Sequence, residues 1–282
     1  MTIDLHIHST FSDGTLSPAQ IVEHGCRRGL RALSLTDHDT IAGIGEGAAA
    51  AARANVEMVS GVELSVDYGE ENFHLLGYFF DHEDPILKRR IALLQDARDD
   101  RNRKILRKLQ ARGIDISMEE VQRVSPVGQT GRPHIAQVLM AKGVVNNMNQ
   151  AFERYLAKGA CAYASRFVYS FAEAAAFLKE SGGITVLAHP AQIDPTLRRL
   201  PGLVAELVNK GLDGLEVYYP SQSSSVRKKL KAIAKRHGMV ISGGSDYHGR
   251  IRPRTDMAGG ANLFVPEEVL EGMRRRAAGS SV

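Results

Sequence analysis

The sequence predicts an α/β protein: strand-and-helix units around a parallel sheet, open or closed into a barrel, with a helical insertion in the middle. Three observations predict it. Short β-patterned runs alternate with helical stretches through residues 1–84. The pattern stops between residues 85 and 158, where the chain is charged, helical in period and poor in β-branched runs. It resumes afterwards, and repeated β-then-α units imply a parallel sheet.

The elements follow in order. Ile3, Leu5 and Ile7 alternate with Asp4, His6 and His8, the period of two that a strand imposes. Ser17-Pro18 supplies an N-cap and first-turn proline for a helix to Arg28, with Gly29 suited to its far end. A second strand, Ala32 to Thr36, runs into Asp37-His38-Asp39, and a helix covers Ile41 to Ala54. A third strand, Glu57 to Val62, ends in Glu63, and Phe73 to Phe80 follows the turn-like Tyr68-Gly69-Glu70. Ile86 to Ala111 reads as one long helix stopped by Gly113. Beyond the insertion come helix Phe171 to Glu180, strand Ile184 to Ala188, helix Leu203 to Lys210, strand Leu215 to Tyr218, helix Ser224 to His237 and strand Met239 to Ser242.

Composition narrows the function. A chain of 282 residues with 43% hydrophobic and 24% charged residues is ordinary globular material, long enough for one large domain carrying an insertion. Its net charge of +4 permits an anionic substrate. A duplex-DNA binder would be more basic, and 6% aromatics without tryptophan argue against an extended stacking platform. A small anion is therefore favoured over a long polymer. No run suits a signal peptide or a bilayer span, and Cys26 and Cys161 form no paired spacing, so a reducing cytoplasm is expected.

The metal-capable side chains gather in a pattern. His6 and His8 share a strand face, Asp13 follows in the next loop, His38 follows the second strand, and Glu63 ends the third. His74 lies in the next strand, His189 ends Ile184 to Ala188, and Asp246 and His248 follow Met239 to Ser242. Strand carboxyl ends are where α/β enzymes build their sites. Any one of these histidines alone would be read as a hydrogen-bonded structural residue, and His24, His82 and His237 are left in that class. Jointly they are a metal site, because unpaired polar groups on a buried strand are costly and coordination satisfies them. Imidazole and carboxylate without thiolate suit manganese, zinc or iron, and nine ligands imply two or three ions.

These residues carry a resemblance. Asp4-Leu5-His6-Ile7-His8-Ser9 with Ser12-Asp13-Gly14, Thr36-Asp37-His38-Asp39, Gly61-Val62-Glu63, Ala188-His189-Pro190 and Gly244-Ser245-Asp246-Tyr247-His248 resemble the successive motifs of the PHP (polymerase and histidinol phosphatase) superfamily. The resemblance implies a distorted (β/α)7 barrel built from residues 1–84 and 159–282, with residues 85–158 as a small helical domain over the active site. It implies a trinuclear centre, manganese being the expected metal. His6, His8, Glu63 and Asp246 would hold one ion; Glu63 would bridge to a second held by His74 and His189; Asp13, His38 and His248 would hold the third. Asp246, His189 and His248 are the candidates for catalytic roles.

The insertion is expected to choose the substrate. Gly131-Arg132-Pro133-His134 reads as a helix start with two donor side chains, which suits an anion. Arg98, Arg101 and Asn102 lie on the long helix, Arg98 and Arg101 on one face, and Lys158 and Arg166 are further candidates. Each alone would be a solvated surface charge. Gly131 to Ala136 followed by Phe152 to Gly159 resembles the PHP subfamily of 3′,5′-nucleotide bisphosphate phosphatases, some members of which act 5′–3′ on RNA. The resemblance implies removal of the 3′-phosphate from substrates such as adenosine 3′,5′-bisphosphate, with short single-stranded RNA as a second substrate. Histidinol-phosphate phosphatase is the alternative within the superfamily, but an amine-bearing substrate calls for acids where Arg132 stands. A polymerase proofreading exonuclease and a non-catalytic metal-binding module are the remaining readings. Glu216, an acid inside an expected strand, is read as structural or supporting, and Tyr218 and Tyr247 as packing residues.

Overall fold

Strand β1 (Thr2–Ile7) is buried along its whole length, so both sets of its alternation lie inside, the apolar residues in the core and the polar ones in the site. The computed structural model describes residues 1–69, 71–259 and 263–279. Helix α1 (Pro18–Arg27) starts at a capping box in which Ser17 and Gln20 satisfy each other's backbone N–H groups. Strand β2 (Leu30–Leu35) pairs parallel with β1 and leads through helix α2 (Ile44–Ala54) to β3 (Glu57–Val59), β4 (Gly61–Tyr68) and β5 (Glu71–Tyr78). The middle is helical: α3 (Pro85–Gln110), α4 (Met118–Val124), α5 (Arg132–Ala141) and α6 (Met148–Ala151), the last running into a π-helical turn at Phe152–Leu156. Alternation resumes with β6 (Tyr169–Ser170), α7 (Phe171–Glu180), β7 (Ile184–Leu187), α8 (Pro190–Ile193), α9 (Leu200–Val208), β8 (Gly214–Tyr218), α10 (Ser224–Arg236), β9 (Val240–Gly243) and α11 (Glu268–Gly279).

The strands form two sheets, ordered β1-β2-β3 and β6-β4-β5-β7-β8-β9. Isolated parallel bridges, Ile7 to Tyr247 and His38 to Glu63, join them at both seams. Two expectations are corrected here. The larger sheet is mixed, because β5 runs antiparallel to β4 and β7. A turn at Gly69 (φ +68°) is too short for a crossover, so β4 and β5 can only form a hairpin; Glu70 of that expected turn lies outside the described residues. The strand expected to end at Glu63 instead breaks at Ser60, between β3 paired with β2 and β4 paired with β5, and Glu63 lies within β4. Gly61 permits the switch, since a Cβ there would sit 2.1 Å from Ser34 Oγ and 2.7 Å from the Leu35 carbonyl oxygen. Helix α11 has no counterpart among the expected elements.

Three apolar clusters hold the described residues together. One lies under β4, β5, α7, α9 and α10, and a second under β1, β2 and α11. The third, built from Ile105, Leu109, Ile116, Val121, Ile135, Leu139 and Leu156 among others, belongs to the helical middle alone. Helix α3 spans two of them: Leu87, Ile91 and Leu94 pack with the sheet, while Ile105, Leu106 and Leu109 pack in the third. No helix among the described residues is long and apolar enough to cross a membrane.

Candidate metal centre

Loops after β1, β2, β7 and β9 converge with the middle of β4 and the first half of β5. The antiparallel course of β5 brings His74 to this end of the sheet. Hydrogen bonds fix each loop. Asp37 accepts from the Ser9 N–H (2.7 Å), the Ser9 hydroxyl (2.6 Å) and the Ser12 hydroxyl (2.6 Å), setting the turn that carries Asp13. Asp4 accepts from the Ser245 (2.9 Å) and Ala258 (2.8 Å) N–H groups, drawing the Asp246 loop onto β1. Gly244 makes this close approach feasible, because a Cβ there would lie 2.3 Å from the His6 backbone nitrogen. Asp39, His189 and Asp246 all have positive φ (55°, 30° and 53°), a conformation that L-residues keep only where the surroundings enforce it, as at functional sites.

Three overlapping groups result, each with ligand atoms within 4.8 Å of one another: His6, His8, Glu63 and Asp246; His8, Asp13, His38 and His248; and His38, Glu63 and His74. Glu63 sits at the centre. Its Oε2 lies 3.2 Å from His6 Nε2, 3.1 Å from His8 Nε2 and 3.1 Å from His38 Nδ1, and its Oε1 lies 2.8 Å from His74 Nδ1. His189 falls outside the three groups but adjoins the third, with Nε2 3.1 Å from Glu63 Oε1 and 3.3 Å from His74 Nδ1. Asp246 Oδ1 is 3.1 Å from His8 Nε2, and His248 Nε2 is 3.4 Å from Asp13 Oδ1.

Despite these distances, His6 Nε2, both nitrogens of His8, His38 Nδ1, His248 Nε2 and Glu63 Oε2 are buried without a hydrogen-bond partner among the described residues. Buried polar atoms left in this state are costly, and lone pairs converging from several rings on common points are what a cation satisfies. The nitrogen–oxygen donor set fits divalent ions. Burial alone would raise the carboxyl pKa values, but the surrounding imidazoles hold Glu63 and Asp13 well below the usual range. Asp246 is held low in the same way by His6, His8, His248 and Arg252. All three carboxylates are therefore ionised.

Three residues beyond the nine set the orientation of the ligands. Glu216 Oε1 lies 2.8 Å from His6 Nδ1, which leaves Nε2 to face the centre, and Glu216 Oε2 accepts the His189 N–H at 2.6 Å. The Tyr219 hydroxyl donates to Asp246 Oδ2 (2.8 Å) and accepts from Gln192 Nε2 (2.9 Å). Arg252 also donates to Asp246 Oδ2, at 2.5 Å. With Oδ2 so occupied, Asp246 presents only Oδ1, which suits a ligand and not a proton donor. The sequence marks Glu216 as supporting but names no partner for it. Tyr219 and Arg252 carry no signal there beyond their nearness to the motifs.

A second charged group lies beside the first. Buried Asp39 pairs with both Arg98 and Arg166, the latter at 2.6 Å. Arg101, only 4% exposed, has its Nη2 buried without a partner among the described residues. Burial and the nearby charges of Arg98, Arg132 and Arg166 depress its pKa well below the ordinary arginine value. Arg98 and Arg166 thus share one carboxylate, and Arg101 and Arg132 add two further guanidinium groups nearby. Gly131, just before α5, faces Arg98 and Arg101. The other expected contacts differ. The Asn102 amide donates to the Thr130 carbonyl (3.0 Å) and hydroxyl (2.9 Å), holding the loop before Arg132. His134 Nδ1 accepts the Gly131 N–H at 2.9 Å, capping α5. Arg132 donates to the Leu156 carbonyl of the π-helical turn and lies over the Phe152 ring. Lys158 is exposed.

A divalent-cation site whose neighbour is a buried excess of guanidinium defines a metal-dependent phosphoesterase, a hydrolase acting on phosphoester bonds. The PHP domain matches residues 4–167, and the chain belongs to that family. It is 34% identical over 247 residues to a 3′,5′-nucleoside bisphosphate phosphatase of Chromobacterium violaceum, covering 87% of each chain. It is also 34% identical to a 5′-3′ exoribonuclease of Haemophilus influenzae, covering 87% of this chain and 89% of the relative. Among solved structures, a putative metal-dependent phosphoesterase from Bifidobacterium adolescentis superposes with a TM-score of 0.87 at 29% identity, over 97% of this chain and 96% of the other.

Proposed function

We propose that this chain removes the 3′-phosphate from 3′,5′-bisphosphonucleotides such as adenosine 3′,5′-bisphosphate, giving the 5′-mononucleotide, and that it acts 5′–3′ on short single-stranded RNA. The observation that carries this reading is the buried Arg101 Nη2, unpartnered among the described residues, beside Arg132 and the Asp39-paired Arg98 and Arg166, next to the metal groups. A buried cation excess calls for an anion, and arginine forks match phosphate oxygens. A substrate with two phosphates satisfies both groups at once: the reacting one at the carboxylate–imidazole centre, the remote one at the arginines. Holding the remote end orients the reacting end. The names of the relatives describe both chemistries.

In this reading His6, His8, Glu63 and Asp246 hold one ion, Glu63 with His74 and His189 a second, and Asp13, His38 and His248 a third, with manganese as the working metal. When bound, such ions lower the pKa of water toward roughly 7 and neutralise charge on the phosphoryl oxygens. The protein's part is orientation: Glu216 turns His6, Tyr219 and Arg252 turn Asp246, and the arginines place the nucleotide. Residues 85–158 act as a cover whose loop is keyed to the centre, since Gln129 donates its side-chain N–H to the His38 carbonyl and its backbone N–H to the Phe11 carbonyl. The two sheets with their seam bridges are read as the distorted barrel of seven strands. The test is phosphate release by manganese-loaded protein from adenosine 3′,5′-bisphosphate, beside adenosine 5′-monophosphate and histidinol phosphate. Release from the bisphosphate alone supports the reading; preference for histidinol phosphate overturns it.

A further inference from the structure

Helix α10 contains Arg227, Lys228, Lys229, Lys231, Lys235 and Arg236 and no acidic residue. It carries a charge of six where the whole chain carries a net of four, so the rest of the molecule is net negative. Lys228, Lys229, Lys231, Lys235 and Arg236 are exposed. Among the described residues none of the six is paired with a carboxylate. Arg227 and Lys231 instead flank the half-buried Tyr218 ring, 5.9 Å and 4.7 Å from its centroid. Lys228, Lys231 and Lys235 are spaced three and four apart, which places them on one face along about 10 Å of helix.

The position of this helix matters more than its charge. The loop from Tyr219 to Ser223 joins the residue that holds Asp246 to the cap of α10. Passing through the seam bridges, β8 lies three strands from β2 by way of β1 and β9, and four by way of β4, β5 and β7. Tyr219 and the start of α10 therefore stand across the metal groups from Asp39 and its arginines, and the helix runs from there along the outside of the sheet toward the start of β9. A strand whose 5′-phosphate lies on the arginines and whose next phosphate lies at the metal groups has its remaining nucleotides on this far side.

We propose that α10 is an exosite for single-stranded RNA, its lysines tracking the phosphates downstream of the scissile bond; this rests on the substrate reading above. A mononucleotide bisphosphate does not extend that far. The test is the variant carrying Lys228→Gln, Lys229→Gln, Lys235→Gln and Arg236→Gln, which spares the residues packed on Tyr218. A 5′-phosphorylated RNA of about ten nucleotides, the span of one single-strand site, is compared with adenosine 3′,5′-bisphosphate. RNA binding is also read by fluorescence anisotropy in chelator across a salt series. The expected result is a loss of about tenfold or more in RNA binding and turnover. The dependence of log Kd on log salt should flatten by roughly 0.7 for each phosphate that the variant no longer neutralises, with bisphosphate turnover unchanged. Unchanged RNA binding, a parallel loss on both substrates, or equal binding of a duplex of the same length would overturn the exosite. Wild-type protein that ignores the bisphosphate but binds RNA through α10 would instead count against the substrate reading alone.

Discussion

Glu216 connects two residues that reach the metal centre from different strands: Oε1 lies 2.8 Å from His6 Nδ1, and Oε2 accepts the His189 backbone N–H at 2.6 Å. One buried carboxylate thus fixes the ring of His6 and the strained backbone of His189, whose φ is +30°. In Glu216→Gln one acceptor becomes an NH2 group that must face a donor. Mn2+ binding should weaken roughly 10- to 100-fold, read by titrating metal-free protein while circular dichroism confirms the fold. Unchanged affinity would show that Glu216 is only a packing residue.

The Tyr219 hydroxyl does for Asp246 what Glu216 does for His6. Tyr219→Phe keeps the ring and removes one charge-assisted hydrogen bond, so kcat/KM should fall about tenfold, and Mn2+ affinity should fall with it. Arg252→Ala should have a smaller effect, because that side chain is 44% exposed and its ion pair is screened. A larger loss from Arg252→Ala than from Tyr219→Phe would point to direct phosphate contact by Arg252.

Asp39 is the sole carboxylate partnering Arg98 and Arg166 among the described residues, and both arginines are nearly buried. Asp39→Asn leaves two cations without a counter-charge and should destabilise the protein by on the order of 3 kcal/mol, measured by urea unfolding. Added inorganic phosphate should recover part of that loss if the arginines form an anion site.

Metal removal should lower the melting temperature. At a metal concentration about 100 times Kd the folded state gains ~2.7 kcal/mol, which corresponds to a shift of roughly 5–10 °C in a domain of this size. A melting temperature that ignores chelator would argue against metal at the buried histidines.

Much of the site was legible in the sequence because its residues are of unusual type for their places. Two histidines on one face of a buried strand, and acids and histidines at successive strand ends, have few structural excuses. The supporting residues were not legible, because a role such as that of Tyr219 exists only once β8 is folded beside the Asp246 loop. Asn102 and His134 have the chemistry of substrate contacts, but tertiary structure gives them local partners in Thr130 and Gly131. The direction of β5 was missed for a related reason: alternation marks a strand without saying which way it runs, and the turn at Gly69 carried that information.

Arg132→Ala and Arg101→Ala should each reduce use of a 3′,5′-bisphosphonucleotide about 10- to 100-fold, the range of a charged hydrogen bond, while a generic aryl phosphate is affected far less. Equal losses on both substrates would assign these arginines to the fold or to the metal site.

The most direct measurement compares kcat/KM for adenosine 3′,5′-bisphosphate with that for adenosine 3′-monophosphate, the same reacting ester without the remote phosphate. The arginine group beside Asp39 predicts a preference for the bisphosphate of about 100-fold or more, because binding the remote end orients the reacting one. Equal values for the two nucleotides would contradict the two-phosphate account.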